Sequence, residues 1–123
     1  MTKVIADITM SIDGFVTGPD PDLEHGLGHG GEALHTWVFS DDPVDAQVLE
    51  SATERSGAVV MGGGDVVRQC VDEGLVDELV LHLSPLVLGA GTPLFAGASR
   101  RELRQREVRV SSNATHLTYD VVV

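Results

Sequence analysis

The chain reads as an α/β protein whose sheet is partly parallel and ends in antiparallel strands. Three observations carry that reading. Short apolar, β-branched runs alternate with helical patterns over residues 3–73. The tract 57–65, GAVVMGGGD, is a strand that runs through a tight glycine turn into a helix. From residue 77 onward the pattern becomes β-rich, and its last two tracts are joined by Ser111, Ser112 and Asn113.

Each element has its own signal. Residues 3–12 alternate loosely and carry β-branched side chains, as a central strand does, and Asp13 and Gly14 end it. Residues 17–31 are rich in glycine and proline and hold Asp20, Asp22 and Glu24, so they form a long loop. Long ordered loops often carry function. Residues 32–39 read as a short helix with Leu34, Trp37 and Val38 inward. Asp41, Asp42 and Pro43 start a second helix, with proline near its first position. Its apolar stripe is Val44, Val48, Leu49 and Ala52. Residues 57–61 are a buried type of strand. Residues 65–73 are a helix with Val66, Val67, Cys70 and Val71 on one face, stopped by Gly74. Residues 77–88 read as one long strand in which Pro85 implies an edge, a bulge or a bend. After a turn over 89–93, Leu94 and Phe95 return to the core, and 101–110 pairs with 115–123.

Composition bounds the function. At 123 residues the chain is one domain, 1–123, large enough for a real core. No tract approaches membrane-spanning length, and Asp7 breaks the first apolar run, so a cytoplasmic protein is expected. Nineteen acidic against eight basic side chains give a net charge of −11, which argues against a nucleic-acid face. That charge repels anionic ligands at long range, so a phosphate site here relies on local N–H groups or a few arginines. Cys70 is the only cysteine, which excludes an intrachain disulfide and a cysteine zinc cluster and fits a packing role. Arg100, Arg101, Arg104, Arg106 and Arg109 concentrate the positive charge, on a solvated strand or against acidic neighbours across a dimer.

Several residues are candidates for chemistry. Gly62, Gly63 and Gly64 can take positive φ and admit a backbone or a phosphate at close range. Asp65 can cap the helix that follows, whose first N–H groups suit an anion. The same turn also serves simply to pack a helix on a sheet. Asp7 is the unusual polar position of an apolar strand. Buried, it suits a general acid; on the solvent face of an edge strand, it does nothing. Asp13 contacts a substrate or is a turn residue beside Gly14. Glu32 and His35 share a helical face and point into a pocket, or mark a solvated helix start. His25, His29 and His35 match no metal-ligand spacing, and no metal is expected. His82 alternates with Leu81 and Leu83 as a sheet-face histidine.

Six segments, in order, resemble one family: 10–19 (MSIDGFVTGP), 30–35 (GGEALH) with Trp37, 62–69 (GGGDVVRQ), 74–79 (GLVDEL) with Pro85, 89–95 (GAGTPLF) and 115–119 (THLTY). The chain resembles the bacterial dihydrofolate-reductase-like proteins, which include the reductase domain of bifunctional riboflavin biosynthesis enzymes. The resemblance implies a three-layer α/β fold, a sheet with flanking helices. It implies hydride transfer from NADPH to a C=N or C=O bond of a planar heterocycle. The segment with Met10, Gly14 and Phe15 would border nicotinamide and substrate; Gly62, Gly63, Gly64 and Asp65 would hold the phosphate. Asp7, Asp13 and Glu32 are the candidate catalytic carboxylates.

One departure stands out. A full family member has further strands and an arginine-rich helix start before the glycine turn. Here a single strand, 57–61, runs straight into it, as an internal deletion near 61–64 would leave. No Arg or Lys lies between Arg55 and Arg68 to grip an adenosine 2′-phosphate. Three readings stay open: an NADPH-dependent reductase of a pterin or pyrimidine, a cofactor-free pocket that binds a small ligand or catalyses an isomerisation or cyclisation, and a protein of association only. Loss of inner strands exposes sheet edge, so a homodimer, with or without exchanged elements, is expected.

Overall fold

The structure is a computed structural model. It describes residues 4–20, 24, 27–55, 58–60 and 64–122, with backbone alone over 52–66. A five-stranded sheet has the order β3-β1-β4-β7-β6, where β1 is Val4–Ser11, β3 Ala58–Val60, β4 Glu78–Ser84, β6 Leu103–Val110 and β7 Thr115–Val121. β1 runs parallel to β3 and β4, whereas β4–β7 and β6–β7 are antiparallel. This is the partly parallel sheet with antiparallel C-terminal strands that the sequence predicts. β1 lies inside the sheet, so Asp7 is not on an edge strand.

The two faces of the sheet differ sharply. Alternation sends Ala6, Ile8 and Met10 of β1, Leu79 and Leu81 of β4, and Leu117, Tyr119 and Val121 of β7 to one apolar side. Helix α2, Gly64–Asp72, packs there through Val67, Val71 and Cys70. The opposite positions are Asp7, Thr9 and Ser11, then Glu78, His82 and Ser84, then His116, Thr118 and Asp120. Most of these polar groups are buried. A 3-10 helix, Gly31–Phe39, and α1, Pro43–Arg55, cover them. Trp37, Val48 and Ala114 form a small second core on that side. Sheet and helices thus make three layers. No helix among the described residues is long and apolar enough to cross a membrane.

Local chemistry explains the elements. Asp42 starts α1: its carboxylate accepts the Val44 N–H at 2.9 Å, and Pro43 needs no donor at the first position. Gly74, at φ 73°, ends α2. β4 stops at Ser84, before Pro85, so the tract 77–88 is strand only in its first part. Residues 31–39 wind as a 3-10 helix rather than an α-helix, with a break at His35, yet Leu34 and Trp37 do face inward. Two short strands escape the sequence patterns: β2, Phe15–Thr17, pairs with β5, Thr92–Pro93. Gly18, Gly28 and Gly31 of the long loop pack against the loop itself. A Cβ on Gly28 would lie 2.0 Å from the Gly18 carbonyl oxygen.

Candidate functional site

β1 and β4, which run parallel, end together at Ser11 and Ser84. The turn after β1 is clamped there. The Ser11 hydroxyl donates to Asp13 Oδ1 at 2.5 Å and accepts the Phe15 N–H at 3.0 Å. Asp13 Oδ2 accepts the Gly89 N–H at 2.8 Å, and Oδ1 the Leu88 N–H at 3.2 Å. Gly14 takes φ 92° at this turn. The Ser11 hydroxyl first, and the Gly89 and Leu88 N–H groups after it, hold the Asp13 carboxyl below its ordinary range against a smaller opposing effect of desolvation. Asp13 therefore ties the β1–β2 turn to the loop between β4 and β5.

The polar face of the sheet carries a second arrangement. Asp7 Oδ1 lies 2.6 Å from His82 Nε2, His82 Nδ1 lies 2.8 Å from His116 Nδ1, and His116 Nε2 lies 2.6 Å from Asp45 Oδ1. Four side chains from β1, β4, β7 and α1 thus form one hydrogen-bonded row. His82 and His116 are directly opposed across β4 and β7, which brings the rings together. Trp37 stacks on His82 at 4.3 Å between centroids and meets His116 edge-on at 4.8 Å. Its indole N–H donates to Thr9 Oγ1 at 3.2 Å. Asp45, His82 and His116 are buried, while the Asp7 side chain is 27% exposed.

The far end of the row is well supplied with donors. Burial opposes ionisation of Asp45, but hydrogen bonds from Ser111, His116, Ser40 and Asn113 outweigh it and hold the carboxyl low. Burial also lowers the His116 imidazole, against the pull of Asp45. A groove of about 510 Å³ opens just outside, lined by Glu32, His35, Thr36, Ser40 and Asn113 among others. Burial and the nearby His82 lower the His35 imidazole as well.

The predicted catalytic carboxylates fall in three separate settings. Asp7 joins the row, Asp13 holds loops, and Glu32 lines the groove with His35. Met10 packs into the apolar core on the sheet face opposite Asp7, and Phe15 pairs with Pro93 in the small sheet. Gly62 and Gly63 lie outside the described residues; Gly64 opens α2, and the Asp65 side chain is not described. His82, His116, Asp45 and Trp37 were not predicted as site residues. For His82 and His116 the signal was polar alternation on inner strands, which reads equally well as a solvated face; Asp45, on α1, and Trp37, on the 3-10 helix, carried none.

Two of the clustered arginines make contacts within the chain. Arg106, the extra residue at a register shift in β6, bridges buried Glu78 and Asp120, the latter at 3.0 Å. Arg109 reaches Gln47 and Glu107.

The sequence profile of the RibD C-terminal domain matches residues 45–117. No curated protein matches the chain. Solved structures share its fold. A pyrimidine reductase-like protein from Corynebacterium diphtheriae is 14% identical, with TM-score 0.61 over 99% of this chain and 92% of its own. The Saccharomyces riboflavin biosynthesis reductase Rib7 is 13% identical, with TM-score 0.61 over 99% and 89%. A Thermotoga maritima diaminohydroxyphosphoribosylaminopyrimidine deaminase/5-amino-6-(5-phosphoribosylamino)uracil reductase is 13% identical, with TM-score 0.60 over 98% of this chain and 57% of its own.

Proposed function

Because the chain belongs to the RibD C-terminal domain family, we propose that it is an NADPH-dependent reductase of a small planar heterocycle, a pyrimidine or a pterin. The observation that carries the reading is the partly exposed carboxyl of Asp7, bonded at 2.6 Å to buried His82 on the inner strands of the sheet. Reduction of a C=N or C=O bond adds a hydride to carbon and a proton to the heteroatom. The proton needs a positioned donor. In this reading the Asp7–His82 pair is that donor.

The residues present fit one end of the cofactor. Helix α2 opens at Gly64, just beyond the end of β3, a strand parallel to β1. Its first N–H groups suit a phosphate without any basic side chain. The 2′-phosphate is another matter. Arg68 donates to the Ala96 carbonyl, and Arg106 and Arg109 are engaged on β6. When bound, the nicotinamide supplies the hydride. Gly64 and the helix N-terminus would hold the phosphate, Gly14 and Phe15 would border the ring, and Asp7 would hold the proton.

We take the short middle of the fold to mean that a second copy of the chain completes the adenosine end. The proposed test is oxidation of NADPH in the presence of pterins and of 5-amino-6-(5-phosphoribosylamino)uracil. Turnover is expected with at least one of them, and Asp7→Asn should lower kcat by on the order of 10²–10⁴ with NADPH binding unchanged. Absence of turnover across the panel would favour the cofactor-free pocket, with the groove beside Glu32 and His35 as its place.

A further inference from the structure

We infer that Asp45 and His116 are positioning residues that keep a shared proton in the Asp7–His82 bond at neutral pH, so that the pair stands ready as an acid. The inference rests on the reductase reading for its use, but its basis is a proton count. The row has three hydrogen bonds: Asp7 to His82, His82 to His116, and His116 to Asp45. Each needs one proton. Two neutral imidazoles bring only one each. The third makes the net charge −2 + 1 = −1 for two carboxylates and two rings.

Two arrangements use all three protons: imidazolium on His116 with neutral His82 donating to Asp7, or neutral His116 with the extra proton between His82 and Asp7. Burial of His116, together with Arg109 opposite it on β6, disfavours the first. The two rings meet through their Nδ1 atoms, so both cannot be protonated there, nor can both be bare. Asp45 is an acceptor from His116 Nε2 and from Asn113, whose amide donates at 3.4 Å, and is thus the ionised end. A neutral His116 that donates to Asp45 must accept at Nδ1. His82 then donates from Nδ1. The remaining proton lies between His82 Nε2 and Asp7 Oδ1, as carboxylate with imidazolium or as carboxylic acid with neutral ring. The lowered His116 imidazole agrees with this order.

The surroundings hold the arrangement. Trp37 covers both rings and excludes water from them. The titratable group and the charged group that face the row from neighbouring elements are His35 on the 3-10 helix and Arg109 on β6. Arg109 disfavours a positive charge on His116. Asp7 is the row's partly exposed end, so the proton leaves there. On donation the Asp7–His82 pair gives one proton to the substrate heteroatom, which binds it with the π electron pair released as hydride adds to carbon, and the pair regains a proton from solvent. His116 and Asp45 do not lose theirs. The four side chains form a line rather than a converging shell, and among the described residues no group of three or more His, Cys, Asp or Glu is arranged to hold a metal.

The test is nitrogen-15 NMR of the histidine side chains in the full chain, with no ligand. The expected result at neutral pH is three N–H protons on or between the two rings and Asp7, one of them coupled to both Nδ1 nitrogens across the hydrogen bond. Asp45→Asn and His116→Gln should each abolish or move that signal. Two rings that titrate independently, with no bridging proton, would overturn the inference whether or not the protein reduces anything. If His116→Gln fails to fold, the wild-type spectrum decides alone. With an active enzyme, Asp45→Asn should shift the alkaline limb of the kcat profile down by about one pH unit and leave the NADPH Kd unchanged. An unshifted limb would refute a role in catalysis. No turnover beside an intact bridging signal would refute the reductase reading instead.

Discussion

Replacement of Asp45 by alanine should be among the most damaging single changes in the chain. Asp45 is fully buried and accepts the His116 N–H at 2.6 Å. Alanine leaves that donor without a partner and strips the Asn113 amide of one acceptor. Loss of a hydrogen bond to a charged acceptor, with the buried donor left unsatisfied, costs about 1.5–3 kcal/mol. With about 2.1 cal/mol/K of unfolding entropy per residue, a domain of 123 residues has about 0.26 kcal/mol/K. The Tm should therefore fall by about 6–12 °C. Asp45→Asn keeps an acceptor of the same shape and should lose less than half as much. Differential scanning calorimetry at pH 7.5 measures both. An Asp45→Ala protein within about 4 °C of wild type would refute the argument, because the row would then contribute no more than an ordinary surface contact.

Four further outcomes are expected. Acid should destabilise the fold in two windows. His116 and His35 are lowered from 6.5, so their contribution is present above that value and is lost as pH falls below it. Asp45 is lowered from 3.8 and adds a second loss below that value. Each group can contribute at most about 1.4 kcal/mol per pH unit, and a Tm that rises on acidification from pH 7 to 5 would contradict this sign. Asp13→Ala should speed amide exchange at Leu88 and Gly89 with little change at β4, since those two N–H groups lose their acceptors; uniform exchange rates would rule out the clamp. Leu79→Ala removes a fully buried side chain between β4 and α2 and should cost about 2–5 kcal/mol in urea unfolding. The proposed second copy predicts a dimer by sedimentation at micromolar concentration, and a monodisperse monomer would count against it.

Much of the fold was legible because apolar periodicity and turn chemistry are local. The alternation of β1, the stripe of α2 and the Asp42–Pro43 helix start each announce themselves within a few residues. The 3-10 winding of Gly31–Phe39 did not, since Leu34 and Trp37 face inward in either helix type. β2 and β5 were too short to show a period. The polar row was hidden for a different reason. Asp7, His82 and His116 each look like the solvent-facing half of an amphipathic strand. Only tertiary packing, with Trp37 and α1 laid over that face, turns three polar positions into one buried row. Asp7 was visible as an oddity; its partners, separated from it by 75 and more residues of sequence, were not.

The most direct test of the reductase reading is isothermal titration of the purified chain with NADPH and, separately, with NADH. The account predicts saturable binding of NADPH, tighter than NADH, at one site per chain. No heat of binding with either nucleotide at millimolar concentration would contradict it.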